Sequence, residues 1–195
     1  MAAASSIQHG LRATARVHET LARSSSHRKQ LAKAARLMTA ALRRGGKVIW
    51  FGNGGSATQS QHMAAEFVGR FLKERRSLPS LSLTENMASV TAIANDYDYA
   101  SVFARQLEGL GRKGDVAVGL STSGSSPNVL AALRKARAGG LATIGLTGAK
   151  GHRMEAVCDV CILVPSTETA RIQEAHLTIG HILCGLVEDA LFSRR

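Results

Sequence analysis

Two short apolar runs in this chain each end in a turn of small residues that leads straight into a helix-length segment. Lys47 to Phe51 runs into Gly52-Asn53-Gly54-Gly55-Ser56, and Asp115 to Leu120 runs into Ser121-Thr122-Ser123-Gly124-Ser125-Ser126. Strand, tight turn and helix in succession form the repeating unit of parallel sheets, which confines the chain to the α/β class. A turn of this kind also gathers unpaired backbone N–H groups, the positive end of a helix dipole and Ser/Thr hydroxyls around one anion. Two such turns point to a phosphorylated sugar as the ligand.

Nucleotide readings fit less well. A P-loop reads G-x-x-x-x-G-K-[ST], and neither turn carries the lysine that reaches nucleotide phosphates. Gly52, Gly54 and Ala57 do satisfy G-x-G-x-x-A, and Glu85 falls near the end of the next strand, where a ribose-binding acid can sit. A dinucleotide site, however, uses one glycine fingerprint and has no evident need for a second, serine-rich cradle.

The rest of the chain continues the alternation. A first helix over about residues 5 to 44, interrupted or bent near Ser24-Ser25-Ser26, ends at Gly45-Gly46 as a C-cap signal. Five strand-like runs follow: Lys47 to Phe51, Ser80 to Leu83, Val116 to Leu120, Ala142 to Leu146 and Val160 to Val164. Helical stretches lie at about 56 to 73, 86 to 94, 99 to 111, 127 to 138 and 170 to 192. This order predicts a doubly wound, three-layer α/β/α sandwich on a parallel sheet. Ser126 at N-cap and Pro127 at N1 put the serine turn on a helix N-terminus. At 195 residues and 45% hydrophobic content, the chain reads as one domain over residues 1–195, with an N-terminal helical segment over residues 1–45 available for oligomer packing.

The formal charge of +11 raises the question of nucleic acid, but the charge is unevenly placed. Residues 1–50 hold ten Lys/Arg against the single acid Glu19, whereas the remainder holds fifteen against thirteen acids. Leu31, Ala34, Ala35, Met38, Ala41 and Leu42 recur at helical spacing within the basic segment, so its charges read as the solvated face of an amphipathic helix. No nucleic-acid partner is expected. A transit peptide is disfavoured because the helical pattern runs directly into the first strand. Apolar runs are interrupted well short of eighteen residues, so no membrane span is expected. Cys158, Cys161 and Cys184 are odd in number with no secretory segment upstream, which favours buried thiols in a reducing, cytoplasmic setting over a zinc or redox site.

Chemistry is suggested by His62 and Glu66, which share one helix face at i, i+4 and can hold a metal or act as an acid/base pair. A second polar set, Gln173, Glu174, His176 and His181, opens the last helix. Gln173 and His181 are eight residues apart, about 80° around the helix and roughly 12 Å along it. They can share one ion only if the helix start is bent or frayed, or if neighbouring chains contribute. His176 reads as structural or interfacial.

Taken together, Gly52-Asn53-Gly54-Gly55-Ser56, Gln61-His62-x-x-x-Glu66, Ala94-Asn95-Asp96-Tyr97, Ser121-Thr122-Ser123-Gly124 and Arg171-Ile172-Gln173-Glu174-x-His176 with His181 resemble the phosphoheptose isomerases over nearly the whole chain. These are sugar isomerase (SIS) domain proteins. The resemblance implies a flavodoxin-like sheet of five parallel strands, a homotetramer with active sites at subunit contacts, and interconversion of sedoheptulose 7-phosphate with D-glycero-D-manno-heptose 7-phosphate, the first step towards activated heptose. It implies one Zn2+ per subunit on His62, Glu66, Gln173 and His181. Catalysis falls to Glu66 and His181, and substrate contacts to Asn53, Gly54, Gly55, Glu66, Asn95, Asp96, Ser121, Thr122, Ser123, Ser126 and Gln173. Two alternatives stand beside it: a non-catalytic relative that binds the bacterial replication initiator, and an isomerase of another long-chain ketose phosphate. The presence of both Glu66 and His181 favours catalysis, since the non-catalytic relatives lack the acid/base residues.

Overall fold

The computed structural model describes residues 2–193. Its strands are β1 (Val48–Gly52), β2 (Ser80–Ser82), β3 (Val116–Ser121), β4 (Ala142–Gly148) and β5 (Val160–Val164). Its helices are α1 (Ala2–Arg23), α2 (Ser25–Arg43), α3 (Gly55–Val68), α4 (Met87–Asp96), α5 (Val102–Leu110), α6 (Pro127–Ala138), α7 (His152–Glu155) and α8 (Thr169–Phe192). The strands form one parallel sheet in the order β2-β1-β3-β4-β5, the expected flavodoxin-like arrangement.

Period-2 alternation splits each central strand between two cores. Val48 and Trp50 of β1 join Val118, Leu120, Ile144 and Leu146 beneath α2, α3 and α8. Ile49 and Phe51 turn the other way, onto Phe103, Leu107, Val129 and Leu133 of α5 and α6. With both faces covered, β1 and β3 are buried along their whole length, which is why they read as continuous apolar runs.

The N-terminal segment is interrupted at the expected serines and forms two helices. Ser24 leaves helical geometry (φ −77°, ψ 114°) and its hydroxyl accepts the His27 N–H at 3.3 Å, so α2 starts afresh with its own N-cap. Ala34, Ala35, Met38, Ala41 and Leu42 of α2 belong to the core, so α2 is an integral layer of the fold rather than an appendage. Nine of the ten basic residues of this segment are exposed, as a solvated face requires. α1 lies along α8, where Thr14 donates to Glu174 at 2.7 Å and His18 Nε2 meets Thr178 at 2.9 Å.

Other boundaries also move. α3 ends at Val68 rather than near residue 73, because distant groups capture the backbone beyond it. Tyr99–Ser101 is a 3-10 turn leading into α5, and the short α7 was not anticipated. α8 is long and apolar enough to cross a membrane by length and composition, but Ile172, Ala175, Ile179, Leu183 and Val187 are spent on the core. The Cys158 and Cys161 sulfurs both crowd the space beside Gly145, where an added Cβ would lie 2.9 and 3.0 Å from them. A hydrogen bond to Cys161 and burial push the Cys158 thiol far up, and burial pushes Cys184 up to about 12. All three are free thiols; Cys161 and Cys184 are buried and Cys158 is partly buried beside Cys161.

Candidate active site

Strand order reverses between β1 and β3, and ligands of open α/β sheets bind outside the carboxyl ends of strands at such a switch point. Gly52 pairs with Leu120 in the register of these two strands, so the glycine and serine turns open side by side.

The glycine turn is built by exclusion of side chains. A Cβ on Gly52 would lie 2.8 Å from the Ser56 Cβ and 2.9 Å from the Leu120 carbonyl oxygen. Gly54 takes φ +56°, ψ −123° at the N-cap of α3, a conformation open to glycine. No side chain caps this helix; the Ser56 and Ala57 N–H groups instead close back on the Asn53 and Gly54 carbonyls at 3.0 and 2.9 Å. Asn53 is locked in place: its amide donates to Asn128 Oδ1 at 2.9 Å, Asn128 donates back to Asn53 Oδ1 at 2.8 Å, and the Tyr99 hydroxyl donates to the same oxygen at 3.0 Å. Glu85, the ribose-binding candidate, accepts the Ser82 N–H at 3.2 Å on its own strand end.

The serine turn is built from hydroxyls. Ser121 Oγ lies 3.0 Å from Ser126 Oγ and 3.4 Å from Ser123 Oγ, and accepts the Gly124 N–H at 3.2 Å. Ser126 holds the expected N-cap position before Pro127, yet its hydroxyl makes no cap bond because it is turned towards Ser121. Gly124 takes φ +64° and abuts Gly151 and Thr147, which presses this turn against the end of β4. On the far side, Lys150, His152 and Arg153 line a cleft of about 450 Å³ with Thr122, Ser123 and Ser125. The motifs gave no sign of these three residues, since they lie on a separate segment.

Three of the four expected metal ligands converge. His62 Nε2 is 3.0 Å from Glu66 Oε1 and 3.2 Å from His181 Nε2, and one ligand atom from each residue lies within 4.8 Å of the others. His62 Nε2 carries at most one proton and therefore cannot serve both neighbours, whereas a cation between them satisfies all three. Two imidazoles and a carboxylate are also a zinc-type donor set. α3 and α8 run in the same direction here, because Gly55 meets Gln173 and His62 meets His181. Gly180 permits the close crossing; a Cβ there would lie 2.1 Å from Met63 Sδ. Phe71 stacks on the His181 ring at 5.3 Å and 11°.

Gln173 is not part of this cluster within one chain. Its amide nitrogen lies 2.6 Å from where a Cβ on Gly55 would be, and its carbonyl accepts the Gln59 amide at 2.6 Å. Gly55 is seven residues before His62, roughly 10 Å along α3. α8 begins at Thr169, so Gln173 sits inside the helix rather than on a frayed start. Asn95 and Asp96 end α4 with exposed side chains that bond each other at 2.9 Å. It is Tyr99, from the same connection, that reaches Asn53. His176 is almost wholly buried on α8, and burial lowers its pKa to about 4, partly offset by the Thr147 backbone. Tyr99 and Asn128 are the site-shaping residues the sequence did not single out; Asn128, directly after Ser126-Pro127, was within reach of the motif.

Residues 13–148 match the SIS domain family. The phosphoheptose isomerase of Rhodospirillum rubrum is 57% identical over 163 residues, covering 84% of this chain and 87% of that protein. The one from Roseiflexus sp. is 56% identical over 151 residues, 77% of each chain. Among solved structures, a phosphoheptose isomerase from Francisella tularensis superposes with TM-score 0.91 at 32% identity, covering 97% of this chain and all of that one. The Neisseria gonorrhoeae enzyme gives 0.84 at 37%, with 96% and 97% covered. A parallel sheet with paired anion turns at its switch point, joined to this degree of likeness along the sequence, places the chain in the SIS domain family and, within it, among the phosphoheptose isomerases.

Proposed function

We propose that this chain converts sedoheptulose 7-phosphate to D-glycero-D-manno-heptose 7-phosphate, an aldose–ketose isomerisation through an enediolate. The observation that carries it is the meeting of Glu66 with His62 and His181 on paired helices, one of them launched from the switch-point turn.

The serine turn receives the phosphate, with Ser121, Thr122, Ser123 and Ser126 supplying hydroxyls and N–H groups at the start of α6. Asn53, Gly54 and Gly55 let the sugar backbone approach the start of α3, with Asn95 and Asp96 at the rim. The nearness of the Gln173 amide to Gly55 supports its role as a substrate contact. Moving the carbonyl from C2 to C1 requires removal of a proton from C1 and return of one to C2, and a single base can serve both carbons. Glu66 takes and returns the carbon proton; His181 passes protons between the two oxygens. His62, Glu66 and His181 would hold Zn2+, with Gln173 joining them from a neighbouring chain. The ion, when bound, supplies Lewis-acid polarisation of the carbonyl.

The chain works as a homo-oligomer, a tetramer by family likeness, in the cytoplasm, as a single domain. Ile7 and Leu11 of α1 and Ile182 and Leu186 of α8 remain exposed, and Leu186 borders an apolar groove between α2 and α8. Exposed apolar groups in such number suit subunit contacts, and sedimentation of the purified protein checks this. The deciding assay is incubation with sedoheptulose 7-phosphate, with and without chelator. Aldose 7-phosphate product supports the reading; no product under either condition overturns it in favour of a non-catalytic sugar-phosphate binder.

A further inference from the structure

A fully buried ion pair lies just beyond the catalytic cluster. Arg75 and Glu188 have side chains only 1% and 2% exposed, with Nε and Oε1 2.9 Å apart. The Glu188 carboxylate also accepts the backbone N–H groups of Phe71, Leu72 and Lys73 at 3.0, 2.9 and 3.0 Å. This capture ends α3 at Val68 and folds the following segment back against α8. The remaining face of the guanidinium caps α3: Nη2 donates to the Glu66 carbonyl at 2.8 Å, and Nη1 to those of Phe67 and Gly69 at 2.8 Å each. These are carbonyls a helix C-terminus otherwise leaves without partners.

Desolvating two charges costs several kcal/mol each, and a well-packed apolar pair is often as stable, so stability alone is a poor reason for such a pair. Its geometry offers a better one. Arg75 grips the backbone of Glu66 itself. Glu188 stands seven residues after His181 on α8, on the same side of that helix, and fixes the backbone of Phe71, whose ring covers His181. A single bonded unit therefore spans the helix that carries the base, the helix that carries its histidine partner, and the ring stacked on that histidine.

We propose that Arg75 and Glu188 are positioning residues for the isomerase reaction, setting the spacing of Glu66 and His181 and holding Phe71 as a plate that fixes the imidazole plane. The catalytic meaning rests on the isomerase reading; the positioning itself does not. Because phosphate is bound at the other turn, a loosened clamp lowers kcat and leaves KM nearly unchanged.

The test uses the full chain labelled with 13C at histidine Cε1, treated with chelator, and His181 is assigned from the signal lost in H181Q. In wild type the Phe71 ring current shifts the His181 proton upfield. F71L, E188Q and R75K are expected to abolish most of that shift, and E188Q and R75K to lower kcat at least tenfold with KM within about twofold, a loss near 1.4 kcal/mol of barrier. If E188Q does not fold, the apolar pair R75M/E188L supplies a folded chain without the clamp, for which the same losses are expected. Folded E188Q or R75M/E188L with an unmoved His181 signal and wild-type kcat overturns the proposal. Should wild type prove inactive on sedoheptulose 7-phosphate, the isomerase reading fails, and the His181 signal in E188Q still decides the positioning role.

Discussion

The two turns at the switch point reach the same place by opposite means. The glycine turn removes side chains: Gly52, Gly54 and Gly55 clear room for backbone, for α8 and for a ligand, and the reactive groups appear only two turns further along α3. The serine turn adds side chains, and its hydroxyls are already bonded among themselves before any ligand arrives. On the proposed isomerase reading, the difference separates two tasks. A preassembled hydroxyl cradle binds without needing to move, while an empty turn leaves chemistry to residues held on rigid helices.

The largest expected effect falls on the glycine-turn side. Glu66→Gln keeps the shape and removes the proposed base; kcat should drop about 10³-fold, near 4 kcal/mol of barrier, with KM changed only a few-fold in steady-state kinetics. Near-normal turnover would dissolve the division of labour between the turns.

Next comes a prediction for His176, which packs against the Thr147 end of β4 behind the serine turn. Its folded pKa of about 4 lies below the ordinary 6.5, so the unfolded chain binds the proton more tightly. Stability is therefore intact above pH 6.5 and declines as pH falls from there towards 4, by about 3 kcal/mol in all. Denaturant melts at pH 7 and pH 5 should show this loss, and His176→Leu should flatten it.

Ser123→Ala probes the cradle. Ser123 is exposed but accepts the Ser125 N–H at 3.2 Å and hydroxyl at 3.0 Å. Its removal should raise KM about tenfold at nearly constant kcat, the mirror image of Glu66→Gln. The smallest effect is expected for Cys158→Ala, where the protonated thiol takes no part: kcat and KM unchanged, and stability lower by about 1 kcal/mol.

Much of this architecture was legible in the sequence, because its signals are local. Five apolar runs between helical stretches gave the sheet, and the His62–Glu66 spacing gave two of the three residues of the cluster. The missing parts depend on residues far apart. Gly69 offers a local stop signal directly after Val68, but the carboxylate that holds the segment beyond it is Glu188, some 120 residues on. The approach of His181 to His62 needs Gly180 to meet Met63, a contact no periodicity reveals. Ser126 looked like an ordinary N-cap, and only the folded turn shows that Ser121 is the nearer partner. For Gln173 and His181 the spacing left a bent helix start and a neighbouring chain open; a continuous α8 removes the first and leaves the second.

The reciprocal amide clasp of Asn53 and Asn128 has a consequence for the ageing of the protein. Asn53 precedes Gly54, whose unhindered N–H makes this peptide bond open to slow loss of ammonia from the side chain. An aspartate at residue 53 would keep the bonds from Asn128 and Tyr99 but turn its second oxygen towards Asn128 Oδ1, which is already committed to the Val129 N–H. Two oxygens would then face each other where a donor once stood, and the turns would be pushed apart. A stored sample would thus lose its crevice one molecule at a time, with a mass gain of about one dalton marking each loss.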